Sequence, residues 1–217
     1  ELMYDGQLRD FPTPEIDPYL VKRAHDTFHL TKLTAEDFKD GRPHAIIGLV
    51  PGEIISEDAG YIDHIDVEYD ILKVAVIERH KNTHHIGLGY IKGYGLKSGA
   101  VATSISHDSH NIIVVGTNEE EMAAAANRIV ENHGGITVME NGNVLGEVTL
   151  AIAGIMSDDP LVMVNSALES AKDEAFRLGV SRDIDPFMTL SFMALPVIPT
   201  LRITTRGVFD VNTQRYI

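Results

Sequence analysis

The sequence predicts an α/β fold, a layered domain with a mixed β-sheet and flanking helices, and three observations carry that expectation. Beyond residue 70, strand-like and helix-like stretches alternate. A hairpin signal, Glu140-Asn141-Gly142-Asn143, interrupts them midway, and 44% of the 217 residues are apolar, enough to bury a real core. Composition also narrows function. Eighteen basic against thirty-two acidic residues give a net charge of -14, which opposes attachment to nucleic-acid phosphates or anionic lipid. The chain has no cysteine, which removes disulfides, thiolate metal sites and the Pro-Cys-x-x-Cys motif of zinc-dependent cytidine-type deaminases, and a cytoplasmic location fits. No apolar run approaches the length of a membrane span, and there is no basic-then-apolar leader. The first residue is Glu1 rather than Met, so the chain reads as trimmed or as belonging to a longer polypeptide.

Taken in order, Leu2 to Asp10 reads as a short strand turning at Asp5-Gly6, a dipeptide suited to a tight hairpin. Three prolines make Phe11 to Pro18 an extended linker, and Tyr19 to Leu30 has room for one or two helical turns. In Thr34-Ala35-Glu36-Asp37-Phe38 the threonine suits the cap of a short helix with an acidic first turn. Ala45 to Val50 is a continuous apolar strand stopped by Pro51-Gly52, with Glu53 to Ser56 as its resumption and the acidic Glu57 to Tyr69 as a surface loop. Asp70 to Ile77 is a second core strand that ends in Glu78-Arg79-His80.

Glycines 87, 89, 93, 95 and 99 punctuate the next segment. Their spacing matches neither G-x-G-x-x-G nor G-x-x-x-x-G-K-[ST], and no helix pattern follows, so close backbone packing is expected rather than a phosphate cradle. Two apolar runs, Gly99 to Ser106 and Ile112 to Gly116, then read as strands that meet at the polar insert His107-Asp108-Ser109-His110-Asn111. A helix follows, with Thr117 and Glu120 at capping-box spacing, Glu119 to Glu121 at its positive end, Met122, Ala125, Ala126, Ile129 and Val130 on its buried face, and Gly134-Gly135 as its stop. Ile136 to Met139 and Val144 to Leu150 form the hairpin around Asn141-Gly142. Ser157 or an adjacent aspartate is expected to cap a helix running to about Leu178, with Val162, Val164, Ala167, Leu168, Ala171, Ala175 and Leu178 on one face. Pro186 to Pro199 is buried but indefinite in secondary structure, and Leu201 to Val211 suggests a last strand with an Arg206-Gly207 turn inside it.

The insert at His107 to Asn111 concentrates chemistry. Two imidazoles three residues apart suit a shared metal ion, with Asp108 completing or orienting the site. His107 equally suits acid–base work with a carboxylate setting its tautomer. The plainer alternative has Asp108 and Asn111 bonding their own backbone in an Asx-type turn, the histidines satisfied by neighbours. Glu78-Arg79-His80, just past a buried strand, is open to the same question, with a solvated strand end as its simpler explanation.

Five longer motifs go further. Gly93-Tyr94-Gly95-Leu96-Lys97-Ser98-Gly99-Ala100, His107-Asp108-Ser109-His110-Asn111-Ile112, Val115-Gly116-Thr117-Asn118, Pro186-Phe187-Met188-Thr189-Leu190-Ser191-Phe192 and Leu195-Pro196-Val197-Ile198-Pro199 occur in the order found in the carboxy-terminal domain of bacterial and archaeal adenine deaminases, which the chain resembles over roughly residues 70 to 211. Upstream, Pro51-Gly52-Glu53-Ile54-Ile55 resembles that family's connecting segment, and Met3-Tyr4-Asp5-Gly6-Gln7-Leu8 looks like the last strand of the small β-sandwich of amidohydrolases. On this resemblance residues 1–69 hold a β-sandwich remnant, linker and connecting segment, and residues 70–217 hold the α/β domain.

The resemblance implies metal-dependent hydrolysis of adenine to hypoxanthine and ammonia in purine salvage, on a (β/α)-barrel that holds divalent manganese or iron. This chain has no His-x-His opening a barrel strand and is too short for a barrel beside the domain described, so the metal ligands are expected outside it, and His107 and His110 are given no metal role. The implied site is a supporting or lid element. His107, Asp108 and His110 serve catalysis from the barrel mouth, while Glu78, Arg79, His80, Ser109 and Asn111 face the purine. Adenine, the barrel and further copies of the chain are the implied partners. Ser106 departs from the pattern, since alanine is expected there. The rival reading is a non-catalytic module that binds a purine or a partner subunit. A loop that is hydrolytic with its own metal lacks an evident third ligand.

Overall fold

The computed structural model describes residues 3–8, 10 and 14–217. Strands β1 (Met3–Tyr4) and β2 (Gln7–Leu8) form a hairpin whose turn places Asp5 at φ 50° and Gly6 at 69°. Parts of the expected strand and linker, Leu2 and Phe11 to Thr13 among them, lie outside the described residues. Helix α1 (Pro18–His25) follows, with the Asp17 carboxylate accepting from the Tyr19 N–H at 2.9 Å. A single 3-10 turn spans Ala35–Phe38, and there the Asp37 carboxylate accepts from both the N–H and the hydroxyl of Thr34.

The core is one mixed eight-stranded sheet. Its strands are β3 (His44–Leu49), β4 (Ser56–Ile62), β5 (Ile71–Ile77), β6 (Ile86–Lys92), β7 (Ala100–Thr103), β8 (Ile112–Gly116), β9 (Gly135–Glu140) and β10 (Asn143–Thr149), in the spatial order β10-β9-β7-β8-β5-β6-β3-β4. Every neighbouring pair is antiparallel except β3 with β6. Side chains along β5 alternate between faces, as pleating requires. Leu72, Val74 and Val76 enter a core roofed by α3 (Leu161–Arg177), α4 (Pro186–Met193) and a separate three-stranded sheet of β11 (Leu201–Thr204), β12 (Gly207–Asp210) and β13 (Arg215–Tyr216). Ala75 and Ile77 enter a second core beneath α2 (Glu119–Glu131) and the 3-10 turn. Lys73 shares that second face, where its ammonium donates to the Glu119 carboxylate at 2.5 Å and to the Phe38 carbonyl at 2.9 Å. The layered α/β architecture is therefore the expected one.

Several elements differ from expectation for definable reasons. The stretch read as a loop at Glu57 to Tyr69 begins with strand β4, an edge strand whose exposed Glu57 and Asp58 hide its period. The glycine-rich stretch contains β6, and its glycines do admit close packing: a Cβ on Gly87 would stand 1.9 Å from the Thr204 carbonyl oxygen, and one on Gly89 2.7 Å from Val208 Cγ2. The cap of α2 is Asn118, whose amide oxygen accepts from the Glu121 N–H at 2.8 Å, whereas the Thr117 hydroxyl donates to the Gly99 carbonyl at 3.2 Å. Helix α3 starts at Leu161 behind Pro160, and Ser157 bonds Asp159 rather than capping the helix. Its first turn is exposed, so Val162 lies outside the buried face. The segment after Pro186 is helix α4, capped by the Asp185 carboxylate. The tail is a hairpin rather than one strand, because Gly207 at φ 107° turns the chain back. Strands β3 and β4, which precede residue 70, are members of the main sheet. Among the described residues no helix is long and apolar enough to cross a membrane.

Candidate functional site

The His107 to Asn111 insert joins β7 to β8, two strands buried along their whole length, so its ends are fixed by the core. Within it the chain closes on itself. His110, at φ 48°, donates its N–H to the Ser106 carbonyl at 2.6 Å, and the Ser106 N–H donates to His110 Nδ1 at 3.4 Å. A neutral His110 therefore carries its proton on Nε2. Burial, followed by the nearby His107 and Arg79, lowers its pKa below the ordinary 6.5. The plainer alternative is realised only in part: Asn111 turns its amide to side-chain and neighbouring backbone partners, donating to Ser109 Oγ at 3.0 Å and accepting from the Arg79 N–H at 3.4 Å.

Helix α4 braces the insert from the other side. The His107 N–H donates to the Ser191 carbonyl at 3.1 Å, the Ser191 hydroxyl donates to the Ile105 carbonyl at 2.5 Å, and the His107 ring lies 5.1 Å from the Phe192 ring and 5.8 Å from that of His110. Two motifs far apart in sequence are thus joined at one point.

Glu78, Arg79 and His80 do come together with the insert, in three different ways. The Glu78 carboxylate closes its own turn, accepting from the N–H groups of His80, Lys81 and Thr83 and from the Thr83 hydroxyl. Burial raises its pKa, but those donors outweigh burial and leave it below the usual glutamate value. His80 Nε2 lies 2.8 Å from the Ser109 carbonyl, so that nitrogen is the protonated one. Arg79 points inward and is 1% exposed. Its guanidinium donates to the carbonyls of His110, of Thr27 at 2.8 Å and of Ala153 at 2.9 Å, and to the Thr27 hydroxyl, while the Phe28 ring covers its face at 4.2 Å. Burial brings its pKa down to about 10, still charged at neutral pH. Arg79 therefore holds the insert from behind, with its donors turned to main-chain carbonyls and not to open space.

The exposed side of the insert borders a groove of about 320 Å³. Asp108, Ser109 and Asn111 form one wall, the Leu195-Pro196-Val197 turn after α4 a second, and Thr204 and Thr205 in the β11–β12 turn a third. Thr204 and Thr205 escaped sequence reading, and their only signal was the Arg206-Gly207 turn beside them. Phe192, the partner of His107, belongs to the wall of a second cavity of about 250 Å³ with Leu49, Ile54 and Met188.

The residues present do not fit a metal centre. Among the described residues no three His, Asp or Glu side chains converge as ligands. His110 Nδ1 and His80 Nε2 are already engaged, which leaves the insert without a third donor aimed at a common point.

Residues 53–215 match the family model of the adenine deaminase C-terminal domain. The chain is 52% identical to an adenine deaminase of Bacillus subtilis strain 168 over 152 residues, which cover 70% of this chain and 26% of that protein. It is 43% identical over 203 residues to that of Bacillus velezensis, covering 88% and 35%, and 44% identical over 197 residues to that of Brucella melitensis, covering 86% and 34%. The chain spans about a quarter to a third of the length of these curated relatives. With three quarters of its residues matched to that model, the chain belongs to the adenine deaminase C-terminal domain family.

Proposed function

We propose that this chain is the carboxy-terminal part of a cytoplasmic adenine deaminase that converts adenine and water to hypoxanthine and ammonia in purine salvage. In this reading a manganese- or iron-bearing amidohydrolase barrel completes the site, and the assembled enzyme is a homo-oligomer. The observation that supports it most directly is the insert itself, braced by Ser191 and Phe192 through His107 and sharing one groove with Leu195 to Val197, on a scaffold in which no three metal-ligating side chains converge among the described residues. Water activation is then no task of these residues. Their task is to face the barrel mouth, exclude solvent and hold the base. His107, His110 and Asp108 form the face turned to the reaction, Ser109 and Asn111 shape the groove, Glu78 and His80 fix the turn beside it, and Arg79 sets its depth through the His110 carbonyl.

The test uses the full-length polypeptide that carries this domain, assayed for adenine-dependent ammonia release with added manganese. His107→Ala removes the ring packed on Phe192, and kcat/KM is expected to fall by about tenfold or more, equivalent to about 1.4 kcal/mol of transition-state stabilisation. Unchanged turnover and KM refute the lid role. Saturable purine binding with no ammonia release from any form of the polypeptide favours the non-catalytic module instead.

A further inference from the structure

We propose that the groove between the His107 to Asn111 insert and the β11–β12 turn is an amino-purine pocket in which the Asp108 carboxylate and the Thr205 hydroxyl together read the amino edge of adenine. The inference rests on the adenine deaminase reading and adds where this domain holds the base and how it tells substrate from product.

Shape comes first. The groove holds about 320 Å³, at the small end of the range for ligand sites, and its apolar walls, Val76, Leu195, Pro196 and Val197, suit a flat heteroaromatic ring. Its polar groups then divide into those already used and those to spare. Asn111 is tied to Ser109 and to the Arg79 backbone. Thr204 Oγ1 donates to the Tyr216 hydroxyl at 3.3 Å and accepts from the Arg206 N–H at 3.1 Å. Asp108 and Thr205 have no hydrogen-bond partner among the described residues, yet both line the groove.

These two offer complementary functions. An ionised carboxylate only accepts, whereas a hydroxyl has a proton to give. Adenine presents the matching pair on one edge, an exocyclic amino donor beside a ring-nitrogen acceptor. In hypoxanthine a carbonyl oxygen replaces the amino group and would confront the carboxylate, acceptor against acceptor. The same pocket thereby holds the substrate and releases the product.

The experiment titrates the 217-residue chain with adenine, hypoxanthine and unsubstituted purine, read by backbone amide NMR and calorimetry. Adenine is expected to shift the amides of Asp108, Val197 and Thr205 saturably and to bind about tenfold more tightly than hypoxanthine, the worth of one charge-assisted hydrogen bond. Purine should fall between them. Asp108→Asn, whose amide has both a donor and an acceptor, should abolish that preference, and Thr205→Val should weaken adenine severalfold. Asp108 is exposed and Thr205 is a half-buried turn residue with no hydrogen-bond partner among the described residues, so neither variant threatens the fold. Absent or remote shifts with adenine, equal affinities for the two bases, or an unchanged ratio in Asp108→Asn would overturn the pocket. Ammonia release by the full-length polypeptide separates the two levels. A working deaminase whose Asp108→Asn variant keeps the wild-type KM for adenine overturns the pocket alone, and adenine-selective binding without ammonia release overturns the deaminase alone.

Discussion

Ser106 supplies a test of the reasoning about the insert in which the expected sign is opposite to that of an ordinary core mutation. Its side chain is fully buried at the root of the insert, and its hydroxyl oxygen has no hydrogen-bond partner among the described residues. A buried hydroxyl left without a partner costs about 1–3 kcal/mol. Ser106→Ala removes that cost and leaves a void the size of one oxygen atom, which at about 24 cal/mol per Å³ subtracts only a few tenths of a kcal/mol. The bonds that Ser106 does make, between its backbone and His110, survive the change. The net expectation is a gain of about 1 kcal/mol, or a rise in Tm of about 2–4 °C for a chain of this size. Urea unfolding followed by circular dichroism, with an unchanged m value, measures it. A loss of about 1 kcal/mol or more would refute the argument, because it would mean that the hydroxyl is satisfied in the native protein. The alanine expected at this position on family resemblance points the same way as the physics.

Two further outcomes follow from the same neighbourhood. Arg79→Met should cost about 3 kcal/mol or more in urea unfolding, because it removes the charged-donor hydrogen bonds to the partly buried carbonyls of Thr27, His110 and Ala153, each worth about 1.5–3 kcal/mol; a loss below about 1 kcal/mol would show that Arg79 does not brace the insert. His110, with a folded pKa below its unfolded 6.5, binds fewer protons when folded, so its contribution to stability is complete above the unfolded value and declines as pH falls below 6.5 towards the folded pKa. The slope of unfolding free energy against pH in that window should flatten in His110→Gln, and an identical slope in the variant would contradict the assignment.

What was legible in the sequence followed from local chemistry. The Asn141-Gly142 hairpin could be read because its turn needs positive φ at both positions, and the structure has 52° and 73° there. The insert could be read because polar residues between two buried runs have nowhere to go but the end of a sheet. Three failures share the opposite cause, since the decisive partner lay far along the chain. β6 lacks a strand signal because the β11–β12 hairpin, by its backbone at Gly87 and by the Val208 side chain at Gly89, occupies the space that side chains there would fill. Arg79 reads as a surface charge because the carbonyls that enclose it come from residues 27, 110 and 153. Thr205 carries no local mark at all, and it becomes a candidate only when the last hairpin is folded back beside Asp108.

The position of β7 and β8 inside the sheet has a consequence for motion. β7 is paired on both sides, with β8 and β9, and β8 on both sides, with β7 and β5, and every residue of the two strands is buried. Backbone amides in such strands exchange with solvent only when the whole unit opens, at close to the full unfolding free energy. The strand ends that carry the insert, Thr103 and Ile112, are therefore expected among the last amides of the domain to exchange, ahead of which the exposed tip at Asp108 and Ser109 exchanges freely.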